Sequence, residues 1–129
     1  IEAVMNKETR KQVEQLWKQE KYKVMYYSQR QYLLIRQELN NGLDEPQVLE
    51  DIIEETYNMQ PSEGSMRNSF EHMWGYFKKI AVEEEKAYFF SLLTDVSRND
   101  RDIKSYLLLL ATRYRVSYLL QSSILKEAA

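Results

Sequence analysis

The amino-acid sequence predicts an all-α fold, a single-domain bundle of about five helices. Apolar residues recur at spacings of three and four, helix breakers are scarce, and no segment alternates apolar with polar residues as a half-buried strand does. The 129 residues include only 3 Gly and 2 Pro. Gly42, Pro46, Pro61 and Gly64 share one stretch and Gly75 stands apart, which leaves room for long helices on either side.

From about Asn6 to Leu39 the apolar positions are Val13, Leu16, Trp17, Val24, Tyr27, Leu34, Ile35 and Leu39, near one helical stripe. The stripe blurs around Tyr26 to Tyr32, so the segment is either one bent helix or two. Asn40-Asn41-Gly42 tolerates the left-handed backbone that closes many helices. Asp44 is placed to cap the next helix, Pro46 suits its first turn, and Val48, Leu49, Ile52, Ile53, Thr56 and Tyr57 form its buried face. Residues 60–65 read as the longest loop. A third helix is expected through Met66, Phe70, Met73, Trp74, Phe77 and Ile80. A fourth opens at Val82-Glu83-Glu84-Glu85, where carboxylates favour a helix start and are expected to be solvated, and packs through Phe89, Phe90, Leu92, Leu93 and Val96. After a polar turn at residues 97–100, a fifth runs from about Arg101 to Leu125. The length suits one core, and neither half beside Gly64 has enough apolar residues for its own, so one domain over residues 1–129 is expected.

With no Cys, the chain has neither a disulfide framework, nor a thiolate nucleophile, nor a sulfur-bound metal site. The longest apolar run, Leu107 to Ala111, is far below the roughly 20 residues of a membrane helix. Ile1 to Arg10 is mostly polar, without the apolar core of a secretory leader. A cytoplasmic protein without a membrane partner is expected.

The net charge of −2 hides a segregation. Residues 1–39 hold eight basic and five acidic side chains, residues 40–64 none and seven, and residues 65–129 ten and eight. The second predicted helix is therefore an acidic ridge, a candidate contact for a protein partner through Glu50, Glu54 and Glu55. Elsewhere Lys and Arg interleave with Tyr. Such a mixture either holds phosphates and stacks bases, or simply solvates outer faces with tyrosines at the core boundary.

No local motif supports catalysis. His72 is the single histidine, the consecutive Glu83, Glu84 and Glu85 point in different directions, and neither a nucleophile elbow around Ser69 nor a glycine-rich phosphate loop is present. No catalytic residue, metal site or cofactor is expected. The segment His72-Met73-Trp74-Gly75-Tyr76-Phe77-Lys78-Lys79 is the unusual one. It puts a glycine inside an amphipathic helix at a cost of about 1 kcal/mol, which close approach by another helix or by a ligand would offset. His72, Tyr76 and Lys79, at i, i+4 and i+7, are expected to share one face, either an anion-receiving row or an ordinary polar shoulder.

These residues resemble the His-x-x-Gly-Tyr-Phe signature of the YbgA-like proteins, a bacterial and archaeal helical domain of unknown function. Asn68 precedes His72 by four residues, Glu85 and Lys86 precede an aromatic stretch, and Lys21, Ser28 and Tyr32 fit a second pattern, over roughly Leu16 to Leu125. Tyr27 stands where that family usually has His, and a Gly after Tyr32 and a Pro near residues 102–107 are missing. YbgA-like domains occur alone or fused to desulfidase-type domains acting on 4-thiouridine in transfer RNA. The resemblance thus implies a Cys-free accessory module that binds transfer RNA or another structured RNA through Lys21, Arg30, His72, Tyr76, Lys78 and Lys79, with Asn68, Gly75 and Phe77 as motif residues. The alternative is a protein-interaction or regulatory module built on the acidic second helix.

Overall fold

The computed structural model describes residues 2–129, with side chains from residue 6; Ile1, the start of the segment read as leaderless, lies outside them. The described residues form α1 (Glu2–Tyr27), α2 (Gln29–Asn40), α3 (Pro46–Tyr57), α4 (Glu63–Trp74), α5 (Glu83–Leu92), a 3-10 turn (Leu93–Asp95), α6 (Asp100–Arg113), α7 (Ser117–Leu120) and α8 (Ser123–Lys126), with no strand among them. The class is all-α, but the described residues make eight helices instead of about five. The first expected rod divides into two and the last into three.

Ser28 makes the first division. Its backbone is extended (φ −162°, ψ 114°) and its hydroxyl accepts from the Gln31 N–H at 3.1 Å, so it caps α2 in place of continuing α1. α1 then runs between two apolar clusters. Val13 and Val24 meet Ile35, Leu49 and Ile53 on one side, and Tyr22, Met25 and Tyr26 meet Phe70, Met73, Trp74, Phe77 and Phe89 on the other. Covered on both sides, the last turn of α1 buries Val24, Met25 and Tyr26 in succession, which is why the stripe blurs there in sequence.

The second cluster is fastened by α4. The Ser65 hydroxyl donates to the Tyr26 carbonyl and the Ser69 hydroxyl to the Tyr22 carbonyl, each at 2.7 Å, so α1 and α4 lie antiparallel at small side chains. Because α1 stops at Tyr27, the Tyr26 carbonyl is an unserved helix-end group, and Ser65 supplies its donor. On the other side, Gly42 (φ +93°) turns the chain after α2 as expected, and the Arg10 guanidinium donates to the Leu39 and Leu43 carbonyls at 3.2 and 2.6 Å. Pro46 opens α3, but Glu45 and not Asp44 is the capping residue, and no side chain bonds there. Buried Gln31 donates to Thr56 at 3.1 Å, tying α2 to α3.

Three further expectations are corrected. The α4 helix starts at Glu63, because Ser62 and Ser65 cap it reciprocally and absorb part of the expected loop. Of the three consecutive glutamates, Glu83 and Glu84 are exposed but Glu85 is buried. Its carboxylate accepts from the Val82 N–H at 2.9 Å, from Arg113 at 2.5 Å and from the Tyr114 hydroxyl, joining the start of α5 to the end of α6. α6 ends because Arg115 adopts φ +55°, with the Val116 N–H reaching the Ala111 carbonyl at 2.9 Å. This is a Schellman closure in which arginine takes the position glycine usually fills.

Ser65→Ala leaves the Tyr26 carbonyl unpaired and is expected to cost about 1–3 kcal/mol; Ser69→Ala is expected to cost about 1 kcal/mol, because the Tyr22 carbonyl lies inside α1, where the helical ladder serves it. Urea denaturation of both variants checks this order, and equal losses would contradict it. The hydrogen bond from Tyr114, followed by those from Val82 and Arg113, holds the Glu85 carboxyl below its ordinary 4.5 in spite of burial. A depressed folded value gives stability that is present above 4.5 and is lost as pH falls through the lower folded value. Glu85→Gln removes that dependence, so the variant's urea midpoint is expected to fall less than the native one between about pH 5 and pH 2.

Candidate functional site

The expected row of His72, Tyr76 and Lys79 along one helix is not formed. α4 ends at Trp74, Gly75 is its capping residue, and residues 75–80 are turns. Two tight bonds draw the chain in, from the Tyr76 N–H to Met73 at 3.2 Å and from the Phe77 N–H to Trp74 at 2.8 Å; the Ile80 and Ala81 N–H groups then both reach the Phe77 carbonyl. Phe77 is fully buried and anchors this segment. A Cβ on Gly75 would meet the His72 carbonyl oxygen at 3.0 Å and otherwise only Glu71 and His72 backbone. The glycine thus relieves its own turn, and no second helix approaches it.

His72, Tyr76, Lys78 and Lys79 are all exposed, Arg30 is exposed on the first turn of α2, and Lys21 is half-buried on α1. The contacts join Lys21 and Tyr76 through a tyrosine cluster. The Tyr22 and Tyr76 hydroxyls are 2.9 Å apart, Tyr76 stacks on Tyr118 (centroids 5.9 Å, planes 18° apart), and Tyr22 meets both rings edge-on. The Lys21 ammonium lies 5.4 Å from the Tyr22 ring centre and 5.6 Å from that of Tyr118. The cluster continues toward α2 through Tyr32, which stacks on Trp17 at 5.7 Å. No contact among the described residues joins His72 or Arg30 to this group.

Burial pushes the Lys21 ammonium below its ordinary value, and the nearby Arg36 charge pushes in the same direction. Burial raises the Tyr22 phenol well above its ordinary range, helped by the hydrogen bond to Tyr76, and burial also raises Tyr118. The Tyr22 and Tyr118 hydroxyls therefore remain protonated and able to donate at neutral pH. Tyr118 is the member that sequence reasoning missed as a site. It comes from α7, and no local spacing links it to Lys21.

Asn68 lies elsewhere. Its amide donates to Gln29 across an open cleft of about 520 Å³ at the break between α1 and α2, where Tyr27, Ser28, Gln60 and Ser62 also line the wall. No group of three or more metal-ligating side chains converges among the described residues, and no helix among them is long and apolar enough to cross a membrane.

This all-helical chain, with its cation set among tyrosines, matches a family described as "Protein of unknown function (DUF1722)" over residues 21–128. The protein belongs to that family. The match begins at Lys21 and takes in all the residues of the tyrosine–cation cluster except Trp17. No curated protein and no solved structure matches it.

The contact between the Tyr22 and Tyr76 hydroxyls is directly measurable. In a double-mutant cycle of Tyr22→Phe and Tyr76→Phe, urea denaturation is expected to give a coupling of about 0.5–1.5 kcal/mol, and additive losses would show that the hydroxyls do not interact.

Proposed function

We propose that this protein is a non-catalytic helical module that binds structured RNA. The observation that carries the reading is the stacked Tyr76–Tyr118 pair with the Lys21 ammonium against it, continued into exposed Lys78 and Lys79 on the segment that holds Tyr76. Aromatic faces take unstacked bases and cations take phosphates, which suits RNA loops better than a duplex groove. Among the described residues neither Lys78 nor Lys79 takes part in an ion pair, so both ammonium groups are open to a ligand's charge. His72 and Arg30 flank the face as secondary contacts. The YbgA-like resemblance, with which the family match is consistent, narrows the RNA to transfer RNA and the setting to a cytoplasmic accessory of thiouridine-type chemistry carried out by another domain.

An electrophoretic mobility shift with bulk transfer RNA at two salt concentrations tests this. Binding is expected at low salt and weakens steeply as salt rises. Reversing Lys78 and Lys79 to Glu is expected to weaken it and to flatten the log–log salt slope by about 2. No shift of the native protein at low salt would overturn the reading.

A second reading rests on α3, where Glu50, Glu54 and Glu55 are exposed and none takes part in an ion pair among the described residues. If this ridge is a protein contact, changing the three to Lys abolishes capture of a defined partner, and unchanged capture removes the reading.

A further inference from the structure

The cleft where α1 breaks into α2, closed on its other side by the start of α4, shares no residue with the tyrosine–cation cluster. None of the residues that line it is charged. The cleft of similar size beside α6, about 510 Å³, is walled by Asp100, Arg101, Lys104 and Glu127, and a smaller one of about 150 Å³ by Glu63, Arg67 and Asp95. In a chain with 18 basic and 20 acidic side chains, the uncharged cleft is the exception. It offers no counter-charge to a phosphate or a metal ion, and so suits a neutral polar ligand.

Three side-chain amides meet there. The Asn68 amino group donates to the Gln29 carbonyl, which leaves the Gln29 amino group and the Asn68 carbonyl without a partner among the described residues. Among the same residues the Gln60 amide and the Tyr27 hydroxyl make no hydrogen bond, and the Ser28 hydroxyl accepts from Gln31 but donates to nothing. The other walls are fixed. Ser62 and Ser65 spend their hydroxyls on capping α4 and on the Tyr26 carbonyl, and the half-buried Tyr27 ring is held edge-on by Tyr26 at 5.4 Å and by Tyr57 at 5.3 Å. Free donors and acceptors on amides, beside one anchored aromatic ring, match the edge and the flat face of a nucleobase. The volume of about 520 Å³ lies within the range of small-molecule sites, about 300–1,000 Å³.

We propose that this cleft receives one nucleobase, with Gln29, Gln60 and Asn68 bonding its edge and Tyr27 flanking its plane. As the pocket for an unpaired nucleotide the site rests on the RNA reading and adds the base-recognising part that the tyrosine–cation face lacks. The same chemistry serves a free nucleoside.

The side-chain amide signals of Gln29, Gln60 and Asn68 in the magnetic resonance spectrum of isotopically labelled native protein test this. Titration with each common ribonucleoside is expected to move them saturably for at least one base, while the Gln47 amide, bonded to Asp51 on α3, stays put. Gln29 and Gln60 are both exposed, so Gln29→Ala and Gln60→Ala leave the core untouched. Each is expected to weaken nucleoside binding roughly three- to tenfold, the worth of one hydrogen bond, and Lys79→Gln is expected to change nothing. Binding that both alanine variants retain at native strength overturns the site. The same proteins are then assayed with bulk transfer RNA. A gel shift weakened by both variants upholds the site for an RNA base. A nucleoside response that the variants weaken, without any gel shift, upholds it for a free nucleoside and removes the RNA reading. No nucleoside response, with a gel shift that the variants leave unchanged, removes the site and leaves the RNA reading standing.

Discussion

The antiparallel seam between α1 and α4 sets where the remaining parts lie. It depends on a carbonyl that the chain cannot satisfy locally: α1 ends at Tyr27, and the Tyr26 oxygen is served by Ser65 from across the interface. One turn back, Ser69 repeats the contact with Tyr22. Two serines four residues apart thus fix both the separation and the axial register of the helices. With that register set, the chain leaving α4 passes Tyr22, and Tyr76 comes within hydrogen-bond distance of it. The tyrosine–cation cluster is in this sense a product of the seam.

The cluster closes from the far end of the chain. α6 must stop for Tyr118 to turn back, and the stop is made by Arg115 in a left-handed conformation that costs a non-glycine residue about 1–2 kcal/mol. Nearby, Glu85 gathers Val82, Arg113 and Tyr114, and so holds the end of α6 against the start of α5. A buried carboxylate with all of these partners favours one arrangement of α5 and α6 over slipped alternatives. Lys23 with Glu127 and Tyr57 performs a similar task between α1 and the chain end.

Much of the fold was legible because its signals are local. Gly42 and Pro46 punctuate the α2–α3 turn where the sequence places them, and the 3.6-residue spacing of Leu49, Ile53 and Thr56 gives the buried face of α3. What was missed depends on partners distant in sequence. Ser28 reads equally as a mid-helix residue or as a cap until its φ is known, Arg115 carries no glycine signal, and the burial of Glu85, unlike Glu83 and Glu84, follows from Tyr114 and Arg113 as well as from its bond with the Val82 N–H. Extending the third helix to Ile80 followed from Phe77 and Ile80 falling at helical spacing, although tight turns bury Phe77 as well. The same limit applies to the site. Lys21 and Tyr76 were legible as candidates, whereas Tyr118 becomes visible only once α7 brings it against Tyr22 and Tyr76.

The resulting protein presents one asymmetric surface, with aromatic rings and unpaired cations around Tyr76 and an acidic ridge along α3. A polyanion is attracted to the first and repelled by the second, so the RNA proposed as ligand would meet a module of nearly balanced net charge in a preferred orientation. Ultraviolet crosslinking of bound bulk transfer RNA, followed by peptide mapping, tests this orientation most directly. Crosslinks concentrated on the peptides that carry Tyr76 and Tyr118 are the predicted result; crosslinks along α3, or spread evenly over the chain, would contradict it.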